Sequence, residues 1–286
     1  MCRLLGYVTD EPTSLVDLLG QEDFDAFTAL TVVHDDGWGM AWRDQAGRLQ
    51  RRGSACSAAG DPAYADLAAQ PLGRAGIVHL RWASPGIAVR AENTHPFVAG
   101  DLAMAHNGHI APVDRLERLL TPASRAVLRG DTDSERYFRY VLQCIEAAGD
   151  EAVGLGEAVA TLEAEFPYAS LNALLLTPAR LLAVHVNSHA SPPPALKGLG
   201  IAAERIRHTD DEYFAMDFRR SPEGVQLISS GIDPEGWEPV PEDSIGIVDL
   251  AARSLEWRIA DQSPTTDAQK ASIASTIWSS PGCSSG

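Results

Sequence analysis

No apolar run in this 286-residue chain approaches the roughly 18–20 residues needed to cross a bilayer. The amino terminus, MCRLLGYVTDEP, has no basic segment followed by an apolar stretch and a small-residue cleavage site. No secretory leader is therefore read, and a cytoplasmic location is expected. Positive charge is short: Lys+Arg 23 against Asp+Glu 39 leaves a net charge of −16. With no Lys/Arg-rich run to neutralise phosphates, the acidic field argues against nucleic acid as a partner and serves solubility instead. Cysteine is scarce too. Cys2, Cys56, Cys144 and Cys283 are widely separated and form no C-x-x-C pair, which speaks against a disulfide scaffold and a zinc site.

What is present is an ordinary globular balance, 45% hydrophobic and 22% charged, in a chain long enough for a full core. Short apolar runs bounded by turn formers predict strands over 2–8, 37–43, 75–84 and 101–106. Leucines and phenylalanines at helical spacing predict a helix over 14–30. Further helices are expected over 112–128, 133–148 and 151–165, the last weakened by its two glycines. In the second of these, Tyr137, Phe138, Val141, Leu142 and Ile145 form one apolar stripe. Strands return over 170–177, 180–187, 212–218, 224–230 and 244–250. Strands, then helices, then strands again is an α+β order. It fits two mainly antiparallel sheets packed together with helices on their outer faces. No repeat and no long linker divides the chain, so one domain over 2–260 is expected. The Ser/Thr/Pro-rich residues 261–286 read as a tail poor in core formers.

Cys2 carries the most chemistry. Removal of Met1 would leave one residue with both a thiol nucleophile and an α-amine, whose ordinary pKa of about 7.7–8.0 suits a general base. Packing as a small hydrophobe is the ordinary fate of a buried free cysteine. Downstream, His34 to Met40 (HDDGWGM) reads as a glycine-flanked turn entering a strand, or as a close backbone approach to a ligand. Arg81, in HLRWAS, ends an apolar strand, where its burial requires an anion. That anion is either an Asp/Glu of the chain or a ligand carboxylate.

Glu92 to Phe97 (ENTHPF) is followed by Ala105 to His109 (AHNGH). Asn107-Gly108 is first a turn signal, and also a candidate oxyanion hole. His79, His95, His106 and His109 suggest a metal, but H-N-G-H spans a turn and lacks a partner motif, so none is expected. Gly130 to Glu135 (GDTDSE) reads as a helix N-cap, whose carboxylate can still offer an oxygen to an ammonium.

In order, C at position 2, R-W-A-S, N-T-H-P-F, H-N-G and T-D-S-E resemble the glutaminase domain of class II, N-terminal nucleophile, glutamine amidotransferases. The resemblance runs from Cys2 to about Asp249. It implies a four-layer αββα sandwich, Cys2 as nucleophile, and Asn107 and Gly108 as the oxyanion hole. Arg81 would bind the α-carboxylate and Asp133 the α-ammonium of a γ-glutamyl substrate, with Trp82, Ser84 and His95 also at the substrate. Ser84 stands where threonine is usual. No cofactor is implied. No synthase domain follows, which resembles stand-alone members. These include uncharacterised bacterial enzymes, the fungal subunit used in glutathione breakdown and the γ-glutamyl hydrolase of ergothioneine biosynthesis. N-T-H-P-F and T-D-S-E look closer to the first two. The expected activity is hydrolysis of a γ-glutamyl amide through a thioester. The alternatives are a glutaminase subunit feeding a synthase partner and a catalytically silent binding module.

Overall fold

The central strands are apolar on both faces, and both faces are buried. The computed structural model describes residues 2–187, 189–194, 196, 206–209 and 212–260, so the expected tail over 261–286 lies outside the described residues. The first segment contains β1 (Arg3–Thr13), α1 (Leu15–Leu19), α2 (Gln21–Ala29), β2 (Trp38–Arg43), β3 (Leu49–Ser54), α3 (Pro62–Ala68) and β4 (Gly73–Leu80). Next come β5 (Phe97–Ala99), β6 (Leu102–His106), α4 (Val113–Arg118), α5 (Pro122–Ala126), α6 (Asp133–Ala148) and α7 (Glu151–Glu165). The last segment holds β7 (Ala173–Leu176), β8 (Arg180–His185), β9 (Met216–Ser221), β10 (Gly224–Ser229), β11 (Glu238–Pro239), β12 (Ser244–Asp249) and β13 (Leu255–Ile259).

One sheet has seven strands in the order β11-β9-β10-β1-β4-β2-β3, the other six in the order β13-β12-β8-β7-β6-β5. Neighbours pair antiparallel throughout. Side chains alternate across each strand. In β1, Leu4 and Val8 enter the core between the sheets, where they meet Leu174 and Leu176 of β7. Leu5 and Tyr7 of β1 face the other way, toward Leu15, Leu18 and Phe27 of α1 and α2 and Tyr64 of α3. On the far side, Ala173 and Leu175 pack on Tyr137, Phe138 and Val141 of α6 and Leu155, Val159 and Leu162 of α7. The layers therefore run α, β, β, α, the expected sandwich. No helix among the described residues is long and apolar enough to cross a membrane.

Several boundaries differ from the sequence expectation for local reasons. The helix expected over 14–30 breaks at Gly20 into α1 and α2, and the one over 112–128 breaks before Thr121, which caps α5 ahead of Pro122. α6 and α7 match their expected spans. Gly154 of α7 has a packing purpose: a Cβ there would lie 2.4 Å from Ile145 Cα, so glycine lets α7 close against α6. The strand expected over 75–84 ends at Leu80, leaving Arg81 to Ser84 as loop. The strand expected over 212–218 starts only at Met216. Strands β3, β5, β11 and β13 and helix α3 were not expected. The four strands are the edges of the two sheets; β5 and β11 are only three and two residues long, and β3 and β13 are partly exposed, so their charged residues mask the alternation.

Candidate active site

Four element ends converge at one end of the sandwich. Cys2 immediately precedes β1, Arg81 follows β4, Asn107 follows β6, and Asp133 opens α6. β1 and β4 are neighbours in one sheet, β6 belongs to the other, and α6 covers it. The Cys2 main-chain nitrogen closes the gap between sheets by donating to Asn107 Oδ1 at 2.9 Å. Cys2 is only 7% exposed, and its thiol is directed at Trp82 O, 3.8 Å away. Burial pushes the thiol pKa up. The positive amino terminus, the Trp82 carbonyl contact, Arg81 and Arg3 pull it down without overcoming burial.

Asn107 is 0% exposed and anchored by its own N–H to Asn172 O at 2.8 Å. Its Oδ1 is taken by Cys2, which orients the amide and leaves Nδ2 buried with no acceptor among the described residues. A buried donor left unpaired is costly, and this one, beside Cys2, is available to an acceptor on a ligand. Gly108 is required by space: a Cβ there would fall 2.0 Å from Ser170 O and 2.4 Å from His106 Nε2. His106 Nε2–H donates to Ser170 O at 2.8 Å, and Nδ1 accepts from Ser134 Oγ at 2.9 Å. Burial holds its pKa below the usual histidine value, consistent with one neutral tautomer that ties the H-N-G turn to α6.

Arg81 is buried, yet no carboxylate of the described residues forms an ion pair with it. Its Nη1 donates to Asp36 O at 3.2 Å and its Nη2 to Ala88 O at 3.3 Å. The HDDGWGM segment frames this arginine. Asp36 and Gly37 exchange main-chain hydrogen bonds with Arg81, and Asp36 Oδ2 accepts from Ala83 N at 2.8 Å. Asp133 Oδ2 accepts from Ile110 N at 2.7 Å and lies 3.6 Å from His109 Nδ1. Its Oδ1 receives no hydrogen bond among the described residues. Burial opposes the Asp133 charge, but His109, His106 and the Ile110 N–H outweigh it and hold the carboxyl below the usual range. Of the two residues able to cap α6, Thr132 and Asp133, it is Thr132 that does so, by accepting from Glu135 N at 3.1 Å.

A family profile described as "Glutamine amidotransferases class-II" matches residues 1–197. The chain belongs to this family. Among curated relatives, it is 30% identical over 207 residues to the glutamine–fructose-6-phosphate aminotransferase (isomerizing) of Pseudomonas aeruginosa, covering 70% of this chain and 30% of that one. Against the enzyme of the same name from Pseudomonas syringae pv. tomato it is 32% identical over 203 residues, with the same coverage. The chain thus spans about a third of the length of these relatives. Its fold is similar to a glutamine aminotransferase class-II domain protein from Silicibacter pomeroyi. That match has a TM-score of 0.60 at 19% identity and covers 90% of this chain and 99% of that one. It is also similar to an allosteric regulatory enzyme of purine biosynthesis, with a TM-score of 0.59 at 14% identity, covering 91% and 49%.

In this class II amidotransferase the remaining expected residues are placed unequally. Trp82 gives its carbonyl to the Cys2 thiol and turns its ring edge toward His34 at 6.0 Å between centroids. Ser84 opens a turn by accepting from Ile87 N, and its hydroxyl makes no hydrogen bond among the described residues. His95 is buried, its ring 4.2 Å from that of His79 and 4.5 Å from Phe97. Burial and the neighbouring His79 hold it neutral. Among the described residues no group of three or more His, Cys, Asp or Glu side chains is arranged to hold a metal ion.

Two residues beside the site were given no role from sequence. Arg3 is fully buried, donating to His34 Nε2, Tyr213 O, Ser230 O and Ser230 Oγ, and places a cation next to Cys2. The argument that flagged Arg81, an arginine inside an apolar strand, applies equally to Arg3. Asn93 is the other; a polar residue before T-H-P carries no local signal of its contacts.

Proposed function

We propose that the chain hydrolyses the side-chain amide of glutamine or another γ-glutamyl amide, with Cys2 as nucleophile. The single observation that carries this is the unpaired, buried Asn107 Nδ2, held beside Cys2 by the bond from Cys2 N to Asn107 Oδ1. Removal of Met1 converts that nitrogen into the α-amine. Since burial favours the neutral thiol, a base is needed, and the α-amine is the nearest one. It takes the thiol proton as sulfur attacks the γ-carbonyl carbon. The oxygen's developing charge falls to Asn107 Nδ2–H and the Gly108 N–H.

The C–N bond then breaks, the α-ammonium returns its proton to the leaving nitrogen, and ammonia or an amine departs. Water attacks the remaining thioester and releases glutamate. Arg81, a buried cation with no carboxylate partner among the described residues, takes the substrate α-carboxylate in a two-pronged contact. Asp133 offers Oδ1 to the α-ammonium. The pair holds the γ-carbonyl over Cys2.

A second reading is supported by the names of the relatives, which are aminotransferases rather than hydrolases: the ammonia is delivered to a synthase partner. Glutamate release by the purified chain, with intact-mass analysis of Met1, tests both. Robust release from the isolated chain favours hydrolysis, and release only with added partner favours delivery. Cys2→Ala is expected to abolish glutamate release with an unchanged melting temperature. Turnover in that variant, or full activity with Met1 retained, would refute the mechanism; a trimmed, folded chain that binds glutamate without turnover would indicate a silent module.

A further inference from the structure

The two charged ends of the proposed clamp sit on loops 52 residues apart, Arg81 after β4 and Asp133 at the start of α6. One buried side chain joins them. Asn93 is 0% exposed; its Nδ2 donates to Ala88 O at 2.9 Å and its Oδ1 accepts from Asp131 N at 2.9 Å. Ala88 O is the same carbonyl that receives Arg81 Nη2 at 3.3 Å. Asp131 lies two residues before Asp133, in a segment pinned from behind by Glu135, whose carboxylate accepts from Arg129 N and Gly130 N. The fit has no slack, because a Cβ on Gly130 would stand 2.3 Å from Asn93 Oδ1 and 2.8 Å from Glu92 O. The Arg90–Asp131 pair crosses the same gap at 2.7 Å, but both side chains are well exposed, so it fixes little.

We propose that Asn93 is a positioning residue that couples the two arms of the clamp, through Ala88 to Arg81 and through Asp131 to Asp133. It sets their spacing and so makes the site selective for amides that carry both an α-carboxylate and an α-ammonium. This rests on the reading of Arg81 and Asp133 given under the proposed function. Each arm needs a backbone hydrogen bond from a single amide, and a side chain able to donate on one side and accept on the other serves both.

Asn93→Asp separates the arms, since a carboxylate still accepts from Asp131 N but has no proton for Ala88 O. With glutamine, KM is expected to rise about tenfold, the effect of one lost buried hydrogen bond, with kcat within about twofold. With 4-aminobutanamide, which lacks the α-carboxylate, the penalty should vanish. An equal penalty on both amides, or an unchanged KM for glutamine, overturns the coupling. Should Asn93→Asp fail to fold, Gly130→Ala presses on the Asp131 arm instead. It should weaken glutamine while sparing 4-carbamoylbutanoate, which lacks the α-ammonium, and an equal loss on both again overturns the coupling. Arg81→Lys with unchanged KM would remove the clamp itself, a failure distinct from either result.

Discussion

Replacing Asn107 with aspartate tests the oxyanion hole with little change of shape. The side chain is fully buried and makes one hydrogen bond through Oδ1, from Cys2 N at 2.9 Å. An aspartate keeps an oxygen in that place, and its charge suits an α-ammonium. Only the Nδ2 donor is lost, replaced by a carboxylate oxygen facing the oxyanion. Removal of one such donor costs about 10²–10³ in rate, or roughly 2.7–4 kcal/mol of transition-state stabilisation. Repulsion from the new charge adds to that figure, so a loss of kcat of about 10³ or more is expected. KM should change far less, because the proposed carboxylate and ammonium contacts lie on Arg81 and Asp133. The assay is steady-state glutamate release from glutamine, alongside iodoacetamide alkylation and peptide mapping of the amino-terminal peptide to show that the Cys2 thiol is present and reachable, since Cys56 is also a free, exposed thiol. A variant with kcat within about threefold of the parent chain would refute the assignment, since a loss that small is out of scale with a missing oxyanion donor.

Arg81→Lys should raise KM for glutamine by about ten- to a hundredfold, because a two-pronged charged contact becomes one point contact. A steady-state titration decides, and an unchanged KM removes the carboxylate role. Asp133 predicts a pH effect of definite sign. Its folded pKa is held below the ordinary value, so its contribution to stability is complete above about pH 3.9 and is lost as pH falls through the folded value. His109 runs oppositely: Asp133 raises its pKa, so its share is complete below about pH 6.5 and fades as pH rises through the folded value. That share is small because His109 is half-exposed. The melting-temperature gap between the parent chain and Asp133→Asn should therefore be wide near neutral pH and close below about pH 3.9. A gap of constant size across that range would contradict the charge assigned to Asp133.

Legibility from sequence divided along the range of the interactions involved. The helices α6 and α7 matched their expected spans because their signals are local: an apolar stripe and a capping segment open α6, and the structure adds Asp150 as the cap of α7 and Gly149 ending α6. The sandwich was readable from element order. Edge strands β3 and β13 were hidden because no buried face enforces alternation there. The site divides in the same way. Cys2, Arg81, Asn107, Gly108 and Asp133 announce themselves by chemistry and motif, and the fold brings the ends that carry them together. What joins them does not announce itself. The bond from Cys2 to Asn107 spans 105 residues, and those of Asn93 reach five residues back to Ala88 and 38 on to Asp131. A local pattern can state that an arginine needs an anion, but not whether one lies within reach. Whether a carboxylate meets Arg81 depends on residues distant in sequence, and among the described residues none forms an ion pair with it, which leaves the buried guanidinium able to take a ligand's anion.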